Sequence, residues 1–273
     1  MTSNQNFFGL TDKIAVVTGV KGLLGPIWVR ALLEAGAKVA GIDLKGSRQS
    51  QDFQEIQKEN KPSVFKVYDA DILKRSDVET ALANIRKDFG TPTILVNNAG
   101  VDQPPAPTKK GYYFEQIPFE VGRKIFDVNV LGSFLMIQVF GGEMTKLKKG
   151  SIINIASHYA LVSPDPHFYD HIKTRPPFIK PPMYGPSKAA LIQLTRYISV
   201  LWGKYNVRVN SISPGGVFND QDKRFVRKYT ARVPLGRMAE KEDLIGPLIF
   251  LASDASSYVT GANIVVDGGF TAL

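Results

Sequence analysis

Seven short apolar runs punctuate this chain, at residues 13–18, 38–42, 64–68, 93–96, 151–156, 207–212 and 263–266. They are rich in Val and Ile and apolar on both faces, as strands buried within a parallel sheet are. Segments of helical length separate most of them. Residues 25–35 fit a helix, with Pro26 in its first turn and Gly36 as its stop. Residues 189–205 fit another, with apolar side chains at 191, 194, 198, 201 and 202. This strand–helix alternation predicts an α/β fold, a doubly wound parallel sheet of about seven strands in three α/β/α layers. No repeat or linker divides the 273 residues, so residues 1–273 are expected to form one domain.

The first strand runs into Thr18-Gly19-Val20-Lys21-Gly22-Leu23-Leu24-Gly25, which opens the first helix. Glycines there permit a tight turn and let the backbone approach a pyrophosphate. The helix N-terminus supplies N–H donors and a positive dipole end. Asp43 ends the second strand, one helix and one strand after Gly25. A carboxylate in that place accepts from both hydroxyls of an adenosine ribose and repels a 2′-phosphate, which favours NAD over NADP. Lys45 and Arg48 stand close by and leave NADP open.

Tyr184 precedes Lys188 by four positions in Tyr184-Gly185-Pro186-Ser187-Lys188. On a helix that spacing puts both on one face. A free phenol has a pKa near 10 and is a poor base at neutral pH; a neighbouring ammonium favours its ionised form. A serine hydroxyl, such as that of Ser157, would stabilise charge on a reacting oxygen. Other short motifs follow strands in order: Asp71-Ile72, Asn97-Asn98-Ala99-Gly100, Asn129 in Phe-Asp-Val-Asn-Val, Pro214-Gly215-Gly216-Val217, Val259-Thr260-Gly261 and Val266-Asp267-Gly268-Gly269.

Together, over about residues 10–270, these motifs resemble the short-chain dehydrogenase/reductase family. The resemblance implies a Rossmann-type oxidoreductase with a nicotinamide cofactor, interconverting a secondary alcohol and a ketone by hydride transfer. It makes Tyr184 the general acid/base and Lys188 the group that lowers its pKa and holds the nicotinamide ribose. Ser157 would bond the reacting oxygen, and Asn129 would support a water in the proton relay. Asp71 would contact adenine, and Asn98 with Gly100 would line a ribose. The expected cofactor-binding set is Thr18, Gly19, Gly22, Leu24, Gly25, Asp43, Asp71, Ile72, Asn98, Ala99, Gly100, Tyr184, Lys188, Pro214, Gly215 and Val217. The resemblance also implies a homo-oligomer, a tetramer or dimer, with the Asp-Gly-Gly C-terminus at an interface.

Three departures from the family pattern stand out. The middle glycine is Gly22, where the shorter branch places it one residue later, at Leu23; this spacing resembles the extended branch, rich in nucleotide-sugar enzymes. Asn219 occupies a place where threonine often holds the carboxamide. The step from Ser157 to Tyr184 is much longer than the family pattern has it, so a segment is inserted on the substrate side. Ser163 and Ser187 are alternative serines, but Ser163 lies well past the strand and Ser187 lies inside the tyrosine motif.

The inserted segment, 158–183, holds six of the 17 prolines and all three histidines. It is too proline-rich for a long helix and too long for an ordinary connection. His167 and His171, with Asp165 and Asp170 adjacent, suggest a metal site, but such sites need at least three converging ligands; no metal is expected. The segment is read instead as a substrate lid, with Phe168, Tyr169 and Phe178 to stack on a ring and Lys173, Arg175 and Lys180 to meet a phosphate. Residues 221–232 read as a basic helix flanking the same cleft; the resemblance implies a flap over residues 217–235, and a solvated helix face is the alternative.

The net charge of +9 is spread along the chain, without the aromatic-interleaved basic stripe of a nucleic-acid platform. There are no cysteines, which excludes disulfides and Cys-based zinc sites. No signal peptide and no uninterrupted apolar run of membrane length is read. The expectation is a cytoplasmic NAD(P)-dependent dehydrogenase taking a small-molecule substrate, sugar-derived or phosphorylated. The alternatives are a reductase of hydrophobic or acyl-thioester ketones, and a catalytically silent NAD-binding regulator.

Overall fold

The structure, a computed structural model, describes residues 7–102 and 112–273. Seven strands form: β1 (Ile14–Thr18), β2 (Lys38–Asp43), β3 (Phe65–Asp69), β4 (Ile94–Asn97), β5 (Gly150–Ile155), β6 (Val207–Pro214) and β7 (Asn263–Val266). They join in one sheet of order β3-β2-β1-β4-β5-β6-β7, and every pairing is parallel. The chain builds outward from β1 to β3, then crosses back to place β4 on the other side of β1. The order reverses between β1 and β4, and a crevice opens there beyond the strand ends.

Strand side chains alternate between two cores. Val17, Val39, Val96, Ile153 and Ile212 face α1 (Gly25–Glu34), which contributes Trp28 and Leu32. Their neighbours Val16, Ala40, Leu95, Ile152 and Val209 face the other layer, with α3 (Arg75–Asp88; α2 is Gln51–Glu59) and a long helix, α4 (Phe119–Leu147). This period-two division is why the strands read as apolar on both faces. Each observed strand begins and ends close to its expected span.

Helix α4 corrects one expectation. By length and composition it could cross a membrane, yet half of its apolar stretch is buried inside the protein. The few charges within it broke up the run in the sequence without lowering its mean hydropathy enough. Two π-helical stretches interrupt it, Asp127–Gly132 and Ile137–Gly141. The next helix, α5 (Tyr184–Trp202), starts at Tyr184 and not at the expected 189. Gly185 and Pro186 read as breakers, but a first turn tolerates proline, because its N–H would have no helical partner there.

The inserted segment is not a freestanding lid. It forms two short 3-10 turns, His158–Ala160 and Pro166–Tyr169. Phe168 and Tyr169 are buried against Phe225 and Tyr229 of α6 (Lys223–Thr230) and against Phe270 near the C-terminus. Arg232 pairs with Asp165 at 3.2 Å, and Lys228 donates to His167 O at 3.0 Å and pairs with Asp170. Insert and flap therefore form one packed unit. Phe168 is packed among Phe225, Tyr229 and Phe270, whereas Tyr169 packs on Phe178 and Phe225 and also borders a cavity. Lys173 and Arg175 are exposed, and Lys180 alone of the three expected cations turns inward. His167 is bonded to neighbouring Asp165, and no metal-holding cluster occurs among the described residues.

One buried contact ties the two central strands to α1. Trp28 is fully buried, and its Nε1–H donates to Asn98 Oδ1 at 2.7 Å. Trp28→Phe retains much of the packing but strands that acceptor, so it should destabilise the protein by about 1–3 kcal/mol in urea unfolding followed by circular dichroism. Unchanged stability would contradict the assigned bond.

Candidate active site

The glycine turn is built on close backbone contacts. Gly19 has φ +69°, and a Cβ there would lie 2.8 Å from Ala99 Cα; one at Gly25 would lie 2.3 Å from Gly19 O. Both positions demand glycine for the fold itself. Gly22 does not: it is exposed, and a Cβ there would meet only Gly19 O at 3.5 Å. Its freedom serves something approaching from outside, as a pyrophosphate would, so the turn fits a dinucleotide.

Beneath the turn, Thr18 Oγ1 accepts from the backbone N–H of Asn98 and of Ala99, both at 3.0 Å. Asn98 Nδ2 donates back to Thr18 O at 2.9 Å and to Gly19 O at 3.2 Å. With Trp28 on its oxygen, the Asn98 amide is committed to holding the ends of β1 and β4 together. Asn98 is expected from the sequence to line a ribose; its side chain lies at this joint, with Gly100 beside it.

At the end of β2, Asp43 Oδ2 accepts from Lys21 N at 2.8 Å, while Oδ1 accepts from Leu44 N at 2.8 Å and Ser47 Oγ at 2.9 Å. The carboxylate is thereby fixed beside the glycine turn, with part of its surface open. Lys21 is buried, and its Nζ donates to Leu44 O at 2.9 Å. Sequence reasoning passed over it, although it is the one charged residue in the turn. Asp71 Oδ1 accepts from Leu73 N at 3.0 Å, and Ile72 packs against Gly132 of α4. At the end of β6, Gly215 N donates to Val266 O at 2.8 Å and Val217 bridges to Ala239. Asn219 is exposed, its backbone N–H bound to Gln221 Oε1.

The expected catalytic residues come together. Ser157 stands just past β5, with its Oγ accepting from Tyr159 N at 3.1 Å and near enough to the Tyr184 phenol to favour its ionised form, so the long gap in sequence closes in space. The approach is tight: a Cβ at Gly185 would lie 2.7 Å from Tyr159 O. Lys188 Nζ donates to Ile155 O at 2.7 Å and lies 5.9 Å from the Tyr184 ring centre. Asn129, in the first π stretch and fully buried, accepts from Val101 N at 2.7 Å and donates to Ser187 Oγ at 3.0 Å. Ser187 in turn donates to Tyr184 O at 2.7 Å, so this alternative serine braces the helix start. Gly100 faces the cluster, where an added Cβ would lie 3.3 Å from both Lys188 Nζ and Asn129 Oδ1.

The electrostatics differ from the expectation. Burial, followed by the charge of Asp102, pushes the Tyr184 phenol well above its ordinary value, while the Ser157 hydroxyl works the other way. Lys188 does not reverse this, since burial brings its own ammonium down to about 8, against the upward pull of Asp102. His158 was not anticipated. It is buried, its Nδ1 lies 3.0 Å from Pro214 O, and burial lowers it to about 4, so it is a neutral imidazole linking the serine segment to β6. A cavity of about 600 Å³ adjoins the cluster, bordered by Phe114, Tyr159, Leu161, Lys180 and Gly185. Ser157, Tyr184 and Lys188 do not line it.

A glycine turn at the switch point, with a phenol, a lysine and a serine at the same sheet edge, defines a nicotinamide-dependent oxidoreductase. Comparison with known proteins agrees. The profile of the family described as enoyl-(acyl carrier protein) reductase matches residues 24–271. The NAD-dependent glycerol dehydrogenase of Listeria innocua is 32% identical over 269 residues, covering 97% of this chain and 96% of that protein. The ribulose-forming D-arabinitol 2-dehydrogenase of Candida tropicalis is 31% identical, covering 96% and 94%. A short-chain dehydrogenase from Leptospira borgpetersenii, solved with bound NAD+, superposes with a TM-score of 0.84 at 30% identity, covering 99% and 98%. The chain belongs to the short-chain dehydrogenase/reductase family. It is an NAD(P)-dependent oxidoreductase that interconverts an alcohol and a carbonyl.

Lys188 gives this site a pH signature in stability. Between about pH 8 and its ordinary value of 10.5, the unfolded chain holds a proton that the folded chain lacks, so stability rises with pH; below 8 the full penalty of burying the charge applies. Lys188→Met removes the penalty. The stability of the variant minus that of the wild type, from urea unfolding, should fall by up to about 3 kcal/mol between pH 7 and pH 10.5. A difference independent of pH would contradict the buried, destabilised ammonium.

Proposed function

We propose that this enzyme oxidises a secondary hydroxyl of a polyol or sugar-like substrate with NAD+, and reduces the corresponding ketone. The observation that carries the reading is the meeting of Ser157 and Tyr184 beside Lys188 and Gly100, across the insertion. The named activities of the glycerol and arabinitol relatives support the substrate class.

When bound, the nicotinamide supplies the hydride acceptor or donor. Tyr184 takes the proton from the substrate hydroxyl during oxidation and returns it during reduction. Ser157 donates to the substrate oxygen as charge develops there. Lys188 holds a ribose and favours the Tyr184 phenolate, and Asn129 keeps the start of α5 in register and supports a water in the proton relay. Gly19, Gly22, Leu24 and Gly25 would hold the pyrophosphate. Asp43 would accept from the adenosine ribose hydroxyls, which favours NAD, while Thr18, Asp71, Ile72, Asn98, Ala99, Gly100, Pro214, Gly215 and Val217 would complete the cofactor cleft.

The protein is further read as one domain that assembles as a homotetramer or dimer in the cytoplasm, where the cofactor pool resides. Exposed Tyr197, Val200 and Leu201 on α5, and Leu273 at the C-terminus, support such assembly. A screen of glycerol, D-arabinitol, gluconate, sugar phosphates and simple secondary alcohols with NAD+ and NADP+ tests the substrate and cofactor together. Tyr184→Phe should lower turnover by about 10²–10⁴-fold while calorimetry still records NAD binding. Retained turnover would remove Tyr184 from its role.

A further inference from the structure

The inserted segment brings a second lysine to the catalytic tyrosine. Only 10% of the Lys180 side chain is exposed. Its Nζ lies 5.3 Å from the centre of the Tyr184 ring, closer than the 5.9 Å of Lys188, and 5.5 Å from the Tyr159 ring. It donates to Asp102 Oδ2 at 2.8 Å. Asp102 comes from the other wall of the cleft, just after Gly100 and next to Val101, which Asn129 holds. Asp102 Oδ1 is buried and has no hydrogen-bond partner among the described residues.

The groups around Tyr184 make this carboxylate significant. Ser157 beyond β5 stands near the phenol, Lys188 approaches from α5, and the insert contributes Tyr159, Lys180 and the neutral His158. The β4 end contributes Asp102, a carboxylate whose charge raises the Tyr184 phenol, as does the neighbouring Tyr159. Asp102 opposes a phenolate. Lys180 lies 2.8 Å from Asp102 and 5.3 Å from the centre of the Tyr184 ring, where its positive charge stands opposite that carboxylate.

We propose that Lys180 is a positioning residue of the catalytic site, which neutralises and holds Asp102 so that Tyr184 can ionise, making the insertion part of the acid/base apparatus. This rests on Tyr184 being the acid/base. It also accounts for an ion pair drawn into the cleft by a segment whose other ion pairs are with the flap.

The test is the pH dependence of kcat/KM for NAD+-dependent oxidation of whichever of glycerol, D-arabinitol or gluconate the wild type oxidises fastest. Activity in this direction rises as Tyr184 loses its proton. A unit charge at about 5–6 Å in an effective dielectric near 20 moves a pKa by about two units. Lys180→Met leaves Asp102 unopposed and should move the rising limb up by about one to two pH units. Asp102→Asn leaves Lys180 unopposed and should move it down by a similar amount. The double variant should return close to wild type, and Lys180→Arg should stay close to it. Circular dichroism and NAD binding identify any variant that fails to fold, and the remaining variants still decide the sign. A Lys180→Met loss that is equal at every pH, with no recovery in the double variant, would overturn the proposal and leave a purely structural ion pair. Retained turnover in Tyr184→Phe would instead overturn the acid/base reading beneath it.

Discussion

The phenol of Tyr184, half-buried in the cleft, resists losing its proton, and the groups around it are arranged against that resistance. Burial favours the neutral form of Tyr184, and the same burial favours the neutral form of Lys188. The tyrosine–lysine pair is therefore not self-sufficient in the protein alone. It depends on Ser157 near the phenol, on Lys180 opposite Asp102, and on the charge that a bound oxidised nicotinamide adds to the cleft.

The sheet makes this arrangement possible by fixing two strand ends. Thr18 and Asn98 exchange hydrogen bonds between β1 and β4, and Trp28 fixes the Asn98 amide from beneath. Gly19 and Gly25 allow the turn to lie flat on this joint, while Gly22 stays open to a ligand. From the same β4 end, Gly100, Val101 and Asp102 reach across to Lys188, Asn129 and Lys180. The cofactor cleft and the acid/base cluster thus share one short stretch of backbone.

The strands were legible because period-two alternation between two cores leaves an unbroken apolar signature, and their ends mattered little to it. Ser157 comes close to Tyr184 in spite of the insertion because it sits at a strand end, a place set by the sheet and not by the insert. What could not be read were pairings made through space. Lys180 with Asp102, His158 with Pro214, and Phe168 with Tyr229 and Phe270 join segments far apart in the chain. None has a local spacing signal. Lys21 had one, as a charge inside the glycine turn, but its burial could be found only once β2 and β3 were in place. The start of α5 was misread because Gly185 and Pro186 resemble a break, whereas Gly185 is there to meet Tyr159 O.

The insertion is thereby better described as a wall than as a lid. Phe168 packs on α6 and the C-terminus, Tyr159 and Tyr169 border the cavity, and Lys180 turns in toward Tyr184. The most direct measurement of the central claim is the ionisation of Tyr184 itself, from the ultraviolet difference titration of wild type minus Tyr184→Phe with and without NAD+. Ionisation is expected above the free-phenol pKa of about 10 in the protein alone, and clearly below it when NAD+ is bound. A phenol that titrates at the same pH in both states would contradict this.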